Sequence, residues 1–249
     1  MKLQESTDAD RSMLNITVTS NGIEKLLSNL NPHKAAGPKQ PFDPTITNPK
    51  ISLPKVARLG NLTTNLEGCS CGACLQKGER SNPANYRPIS LTCILCKTLE
   101  HIVASSTTKH LSKLNIFYEL QHGFREKRSS ESQLLMLVDD LFISVYKKKP
   151  TDLILLDFSK AFDKVSHEKL ALKLHDYGIR GPALKWVKGV LNNRHQFVIV
   201  NGSSSEPIPV SSRVPQRYVL RPLLFLIYIN DYPQNVKSEM RLFADNTAL

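Results

Sequence analysis

Two aspartates, each directly after a short apolar stretch, are the residues of this sequence best suited by type and position to chemistry. Asp157 follows the run Leu153–Leu156, which predicts a buried strand. Burying a carboxylate at the end of such a strand is costly unless another group compensates its charge. That group would be a divalent cation, a backbone N–H or the Lys160 ammonium, and the neighbouring residues leave all three open.

The second aspartate, Asp245, lies in a predicted hairpin. Met240–Ala244 predicts a strand, Asp245-Asn246 a two-residue turn and Thr247–Leu249 a returning strand. If both aspartates end strands of one sheet, their carboxylates meet. Two-metal phosphoryl transfer needs this arrangement, because carboxylates shared between ions ~3.5–4 Å apart let the ions stabilise the attacking and leaving oxygens.

Composition limits the partners and the compartment. The 249 residues suffice for one large domain or two small lobes, and the net charge of +11 favours a polyanionic partner, although a merely basic soluble protein would look the same. The polar N-terminus lacks a signal peptide, and the longest apolar run, Leu223–Ile229, is too short for a membrane span. We therefore expect an intracellular protein with reduced cysteines, in the nucleus or the cytoplasm, without a membrane partner.

The cysteines allow a second kind of metal site. Cys71-x2-Cys74 and Cys93-x2-Cys96 match the spacing of a structural zinc site. The second pair falls within a predicted amphipathic helix over 89–114, where thiols three residues apart usually fill the core. We therefore expect no zinc.

Periodicity predicts further helices and one hairpin. Helical patterns cover 23–30, 129–146, 168–175, 182–192 and 223–230, and a hairpin joins 197–201 to 207–210. The helix over 129–146 is expected to bury Leu134, Leu135, Leu137, Val138, Leu141 and Val145. Asp139 and Asp140 diverge by about 100° on that helix, so we expect them at the surface rather than on one metal.

Several blocks of the sequence together resemble a known family. LLDFSKAFDKVSH (155–167) and LFADN (242–246) resemble motifs A and C of the reverse transcriptases of non-LTR (LINE-like, jockey-like) retrotransposons. Residues 31–38 resemble the short motif that leads into the fingers, 77–91 resemble motif 1, 121–125 motif 2 and 213–225 motif B. The blocks occur in the family's order.

The resemblance implies an α/β (α+β) fold, a polymerase palm with partial helical fingers and no thumb. The expected organisation is a poorly ordered N-terminus (1–20), a fingers motif (21–38), an irregular insert (39–76) and a fingers–palm domain (77–249) truncated after motif C. Within motif 1, a helix is expected to begin at Pro88-Ile89-Ser90, where its N-terminus would suit a phosphate. Within motif 2, Gly123 is expected to allow a tight turn.

The implied activity is RNA-templated DNA synthesis with two Mg²⁺ ions, an RNA template, a DNA primer and deoxynucleoside triphosphates. Asp157 and Asp245 would be catalytic metal ligands with Asn246 as a further ligand, Arg125 would bind the triphosphate, and Gln216 the nucleotide–template pair. Phe162 would exclude ribonucleotides by contact with the sugar, or be an ordinary core residue. The residues expected to contact nucleic acid are Lys77, Arg87 and Arg128.

Two departures from the family pattern predict an impaired or inactive enzyme. Motif C of the family has two successive aspartates, and this chain has Asn246 at the second position. Motif B has three glycines where this chain has Arg213, Arg217 and Arg221, and arginine adds bulk where glycine lets backbone approach a ligand. Together with the expected absence of a thumb, these departures leave as the alternative a non-catalytic nucleic-acid-binding remnant of a retrotransposon polymerase.

Overall fold

The computed structural model describes Met13 and residues 71–75, 79, 86–90, 94–192, 195–196, 199–200, 203–206, 208–209, 214 and 218–249. The predicted helix over 23–30 and the motif over 31–38 lie outside these residues. So do Lys77, Cys93, Arg213, Gln216 and Arg217.

Helices make up most of the described chain. They are α1 (Ile94–Lys113), α2 (Ser130–Tyr146), α3 (His167–Asp176), α4 (Gly181–Leu191) and α5 (Arg221–Ile229). Short 3-10 helices occupy Ala161–Asp163 and Tyr232–Asn235. The helices predicted over 129–146, 168–175, 182–192 and 223–230 are confirmed within one or two residues.

The strands are short and antiparallel. They are β1 (Cys71–Leu75), β2 (Tyr86–Ser90), β3 (Leu155–Asp157), β4 (His195–Gln196), β5 (Ile199–Val200), β6 (Ser203–Ser204), β7 (Ile208–Pro209), β8 (Arg241–Phe243) and β9 (Asn246–Ala248). Strand β1 pairs with β2, β4 with β7 and β5 with β6. The predicted hairpin is confirmed in its place but not in its pairing, because β5 pairs with β6 inside the predicted turn and β7 pairs with β4, which precedes the predicted strand. The sheet that carries both aspartates has the order β3-β9-β8.

The core lies where α3, α4 and α5 pack together. Leu170 and Leu174 of α3 and Val187 and Leu191 of α4 repeat at four-residue spacing, which places each pair on one helix face. These four side chains are buried. Helix α5 is buried nearly throughout, including Phe225 at 2% exposure. This cluster supports the following hairpin, because Ala244 of that hairpin is one of its members.

Two predictions of local structure were wrong. The segment Tyr86–Ser90 forms β2 rather than the start of a helix, and α1 begins at Ile94. Within the region 39–76 expected to be irregular, Cys71–Leu75 is a strand. The reason is the pairing between these two segments, in which Ala73 opposes Pro88, a tertiary contact that neither segment encodes alone.

Two predictions of burial were also wrong. Leu135 of α2 is 71% exposed, and Leu155 of β3 is 69% exposed. Within the described part of the chain, β3 pairs on one side only, so it is an edge strand rather than a central buried one. Asp139 is exposed as predicted, and the Asp140 side chain is 44% exposed and also pairs with the buried Arg241 of β8.

The described chain thus combines helices and sheet, as expected for the α/β (α+β) class. Its division into palm and fingers stays a prediction. In the described ranges, no helix is both long enough and apolar enough to cross a bilayer.

Candidate active site

The three-stranded sheet brings the two predicted aspartates together. In its register Asp157 lies opposite Asn246, and Asn246 lies opposite Phe243 of the neighbouring strand. Asp245 is the residue just before Asn246, and its carbonyl accepts a hydrogen bond from the Phe158 N–H at 3.4 Å. The backbones of the two aspartates therefore lie close together at one end of this sheet, while the predicted meeting of their carboxylates stays a prediction.

The hairpin turn itself lies one residue earlier than predicted. Strand β8 ends at Phe243 and β9 begins at Asn246, so the turn residues are Ala244 and Asp245. Ala244 has a φ of 55°, in the left-handed region that an L-residue adopts only at a cost. The Gln121 side chain, from a distant segment, hydrogen-bonds this residue.

The register also decides which groups share a face. Residues directly opposite each other in an antiparallel pair project to the same side, so Asp157 and Asn246 project together. Both are exposed, whereas the next pair position, Leu242 and Thr247, is buried on the other side. The exposed face of this sheet end therefore offers a carboxylate and an amide side by side.

The segment 121–125 packs directly against the hairpin. The His122 N–H donates to the Leu242 carbonyl at 2.8 Å, and the Leu242 N–H donates to the Leu120 carbonyl at 3.0 Å. The Gln121 side chain reaches further, to both backbone groups of Ala244. Sequence reasoning assigned Gln121 no role; its place beside Gly123 in motif 2 was the available signal.

Gly123 is needed for a different reason than predicted. The left-handed residue of this turn is Phe124, with a φ of 56°. A Cβ at position 123 would overlap the Ala244 nitrogen and lie 2.8 Å from its Cα and 2.9 Å from its Cβ. Glycine is required because two backbone segments meet here.

Phe162 lies among other rings next to the site. Its ring stacks on Phe225 with centroids 4.1 Å apart and meets Phe124 edge-on at 6.1 Å. The Arg221 guanidinium carbon lies 4.4 Å from the same ring centroid. The Phe162 carbonyl accepts a hydrogen bond from the Val214 N–H at 3.0 Å, which ties the start of motif B to motif A.

Arg125 is half-buried over the Phe117 ring, 4.3 Å from its centroid. Burial lowers the pKa of Arg125, and the nearby positive charge of Arg128 lowers it further. Its Nη1 atom is buried and has no hydrogen-bond partner in the described part of the chain. A buried guanidinium nitrogen without a partner is a position that an anionic oxygen would satisfy.

Of the three residues predicted to contact nucleic acid, the structure describes Arg87 and Arg128. Arg128 donates to the carbonyls of Glu119 and Gln121, so part of its guanidinium holds the loop together. Arg87 lies in β2 opposite Cys74.

The side-chain oxygens at the sheet end are of the type that binds magnesium ions. Asp157, Asp245 and Asn246 offer oxygen ligands, which Mg²⁺ prefers, and Mg²⁺ usually takes its other ligands from water and substrate phosphates. No group of three His, Cys, Asp or Glu residues that could hold a metal ion occurs within the described ranges. A Mg²⁺ site formed by the two carboxylates and the amide therefore stays a prediction.

Aspartates that lie near each other at the end of a sheet are one arrangement that two-metal phosphoryl transfer can use. Residues 75–249 match the family described as reverse transcriptase (RNA-dependent DNA polymerase). The match covers more than half of the chain, and the chain belongs to this family.

The similar proteins come from retrotransposons of the non-LTR type. The probable RNA-directed DNA polymerase from transposon X-element of Drosophila melanogaster is 33% identical over 178 residues, which are 70% of this chain and 19% of that protein. The RNA-directed DNA polymerase from mobile element jockey of Drosophila funebris is 27% identical over 226 residues, which are 87% of this chain and 24% of that protein. The chain thus spans about a fifth to a quarter of the length of these curated relatives.

A solved structure has a similar fold. In the structure of telomerase from Candida albicans in complex with the TWJ fragment of telomeric RNA, the similar region covers 75% of this chain and 37% of that one. The TM-score is 0.53 at 14% sequence identity. This likeness supports the reverse transcriptase fold.

Proposed function

We propose that the chain carries the nucleotidyl-transfer site of a retroelement reverse transcriptase. The primer 3′-hydroxyl would attack the α-phosphate of a deoxynucleoside triphosphate paired to an RNA template, with pyrophosphate as the leaving group. The observation that carries the proposal is the register that sets Asp157 opposite Asn246 and next to Asp245, in a chain of this family.

Each predicted residue has a role in this proposal. Asp157, Asp245 and Asn246 would hold the two Mg²⁺ ions, which supply positive charge to the reacting oxygens when bound. The partnerless Nη1 of Arg125 supports its role as the triphosphate ligand, because a bidentate guanidinium suits phosphate oxygens. Phe162 would contact the sugar. The remaining proposed contacts, to the base pair and to the nucleic-acid backbones, are Gln216, Lys77, Arg87 and Arg128.

Asn246 weakens this site. An amide keeps an oxygen ligand but removes a negative charge from a position beside Asp157. Two divalent cations that approach each other repel, and fewer carboxylates offset that repulsion less. We therefore propose that turnover is impaired in this chain because it needs more Mg²⁺.

The alternative is a nucleic-acid-binding remnant without turnover, and Arg221 favours it. The family has glycine at this position, whereas here the guanidinium lies against Phe162, where the sugar of an incoming nucleotide would be placed. The added charge would still attract a nucleic-acid backbone.

Primer extension on an RNA template separates these two functions. The whole chain and its Asp157→Ala variant are compared with Mg²⁺ and the four deoxynucleoside triphosphates. Incorporation by the native chain that Asp157→Ala abolishes is the expected result. RNA binding that weakens with salt in both proteins, without incorporation in either, would support the remnant and contradict the polymerase.

A further inference from the structure

We propose that Gln121 is a positioning residue that fixes the turn Ala244-Asp245 against the segment carrying Arg125. The part of this inference that concerns the nucleotide and the metal ions rests on the proposed function. The contacts that carry it belong to the described chain and are testable by themselves.

The Gln121 side chain binds the turn through both of its polar atoms. Its Oε1 accepts hydrogen bonds from the Gly123 N–H at 2.8 Å and from the Ala244 N–H at 2.9 Å. Its Nε2 donates to the Ala244 carbonyl at 3.4 Å, a longer bond. Gln121 is 3% exposed, so these bonds form away from water, where losing a partner is most costly.

These bonds explain why the turn takes an unfavourable backbone conformation. Ala244 is in the left-handed region without being glycine, and such residues persist where surrounding contacts determine them. Gln121 satisfies the N–H and the C=O of this one residue. Asp245 follows directly, so the conformation of Ala244 sets the direction in which the Asp245 carboxylate leaves the turn.

The same side chain links this turn to the predicted triphosphate ligand. Gln121 and Arg125 belong to one tight loop, in which the Arg125 N–H donates to the His122 carbonyl at 3.4 Å. The backbone bonds between this loop and Leu242 stop two residues short of Ala244. Gln121 therefore carries the polar contact that extends from the loop to the turn.

The simplest alternative is that Gln121 is a buried polar residue that only helps the chain to fold. Two substitutions separate the roles. Gln121→Met keeps the length of the side chain and removes its hydrogen bonds, and Gln121→Glu keeps the acceptor atoms. Gln133→Met is the matched control, because Gln133 is also buried but lies in α2.

The first readout is amide hydrogen exchange in the whole chain, labelled with ¹⁵N at alanine, glycine and leucine. Gln121→Met is expected to speed exchange at Ala244 and Gly123 by about tenfold or more, because each amide loses its acceptor. The Leu242 amide, which donates to backbone, should stay as protected as in the native chain. Gln121→Glu should restore slow exchange, and Gln133→Met should leave it unchanged.

The second readout is the Asp245 carboxylate. Mn²⁺ serves as the probe ion, and its binding is measured by electron paramagnetic resonance. We expect Gln121→Met to lower the affinity for Mn²⁺ about tenfold, because loss of a contact that orients a metal ligand typically lowers metal affinity by about that factor. Gln121→Glu should bind Mn²⁺ at least as well as Gln121→Met.

Native exchange rates at Ala244 in Gln121→Met would overturn the inference. Equal loss of protection at Leu242 would also overturn it, since that pattern is general destabilisation. Faster exchange at Ala244 with unchanged Mn²⁺ binding would show that the turn does not position Asp245. If the native chain binds no Mn²⁺, the proposed function fails, and the exchange comparison still decides whether Gln121 fixes the turn.

Discussion

The substitution Gly123→Ala tests the close approach on which the site's geometry depends. The added Cβ would overlap the Ala244 nitrogen, and the other near atoms, at 2.8 and 2.9 Å, also belong to Ala244. Ordinary contacts of this kind are about 3.4–4 Å, so the two segments must move apart by more than about 1 Å. Both are held by backbone hydrogen bonds, so neither can yield by a simple side-chain rotation.

The expected loss of stability follows from these contacts. Overpacking typically costs about 1–3 kcal/mol, and weakening the two bonds to Gln121 Oε1 adds about 1 kcal/mol each. Alanine restricts the unfolded chain and offsets about 0.4–1 kcal/mol of this. We therefore expect Gly123→Ala to lower the free energy of unfolding by roughly 2–4 kcal/mol.

Urea unfolding followed by the fluorescence of Trp186, the single tryptophan, measures this change. With a typical slope of about 2 kcal/mol per M, the midpoint should fall by about 1–2 M. Gly189→Ala is the control, because a helix-interior glycine in α4 should gain about 0.5–1 kcal/mol from alanine. A midpoint for Gly123→Ala within about 0.25 M of the native value would refute the close approach.

Two further predictions concern groups that hold the same region. Asp140→Asn should lower the free energy of unfolding by roughly 1–3 kcal/mol, because the Arg241 guanidinium, whose side chain is 6% exposed, keeps only Glu239 as an acidic partner within the described residues. An unchanged urea midpoint would contradict this pairing. Burial lowers the pKa of His122 below 6.5, so the folded state disfavours its proton. The contribution of neutral His122 to the free energy of unfolding is therefore at its full value above about pH 6.5 and decreases as the pH falls below it. His122→Gln should flatten this part of a curve of the free energy of unfolding, measured with urea, against pH.

The sequence sufficed where neighbouring residues determine the structure. Asp157 could be placed at a strand end and Asp245 in a hairpin turn because apolar runs directly precede them. Helix α2 could be placed from its periodicity, and Ser129 caps it in the structure. The sequence was insufficient where partners lie far apart. Gln121 and Ala244 are in contact although they are 123 residues apart in the sequence. Ala244 is also the residue at which the turn begins, one position earlier than predicted.

Burial was the least predictable property for the same reason. The leucines of α2 have the spacing of a buried stripe, but spacing alone does not say whether another element covers them. Leu135 and Leu155 are exposed in the described structure although each belongs to an apolar run. The β2 segment similarly looked like a helix start until its pairing with β1 was known.

The Mg²⁺ dependence of primer extension by the native chain and by Asn246→Asp tests the central claim most directly. If Asp157, Asp245 and residue 246 together hold the ions, the added carboxylate should lower the Mg²⁺ concentration needed for half-maximal incorporation, by about tenfold for ~1.4 kcal/mol of added attraction. The same Mg²⁺ requirement in both proteins, or no incorporation by Asn246→Asp at any Mg²⁺ concentration, would contradict the proposed site.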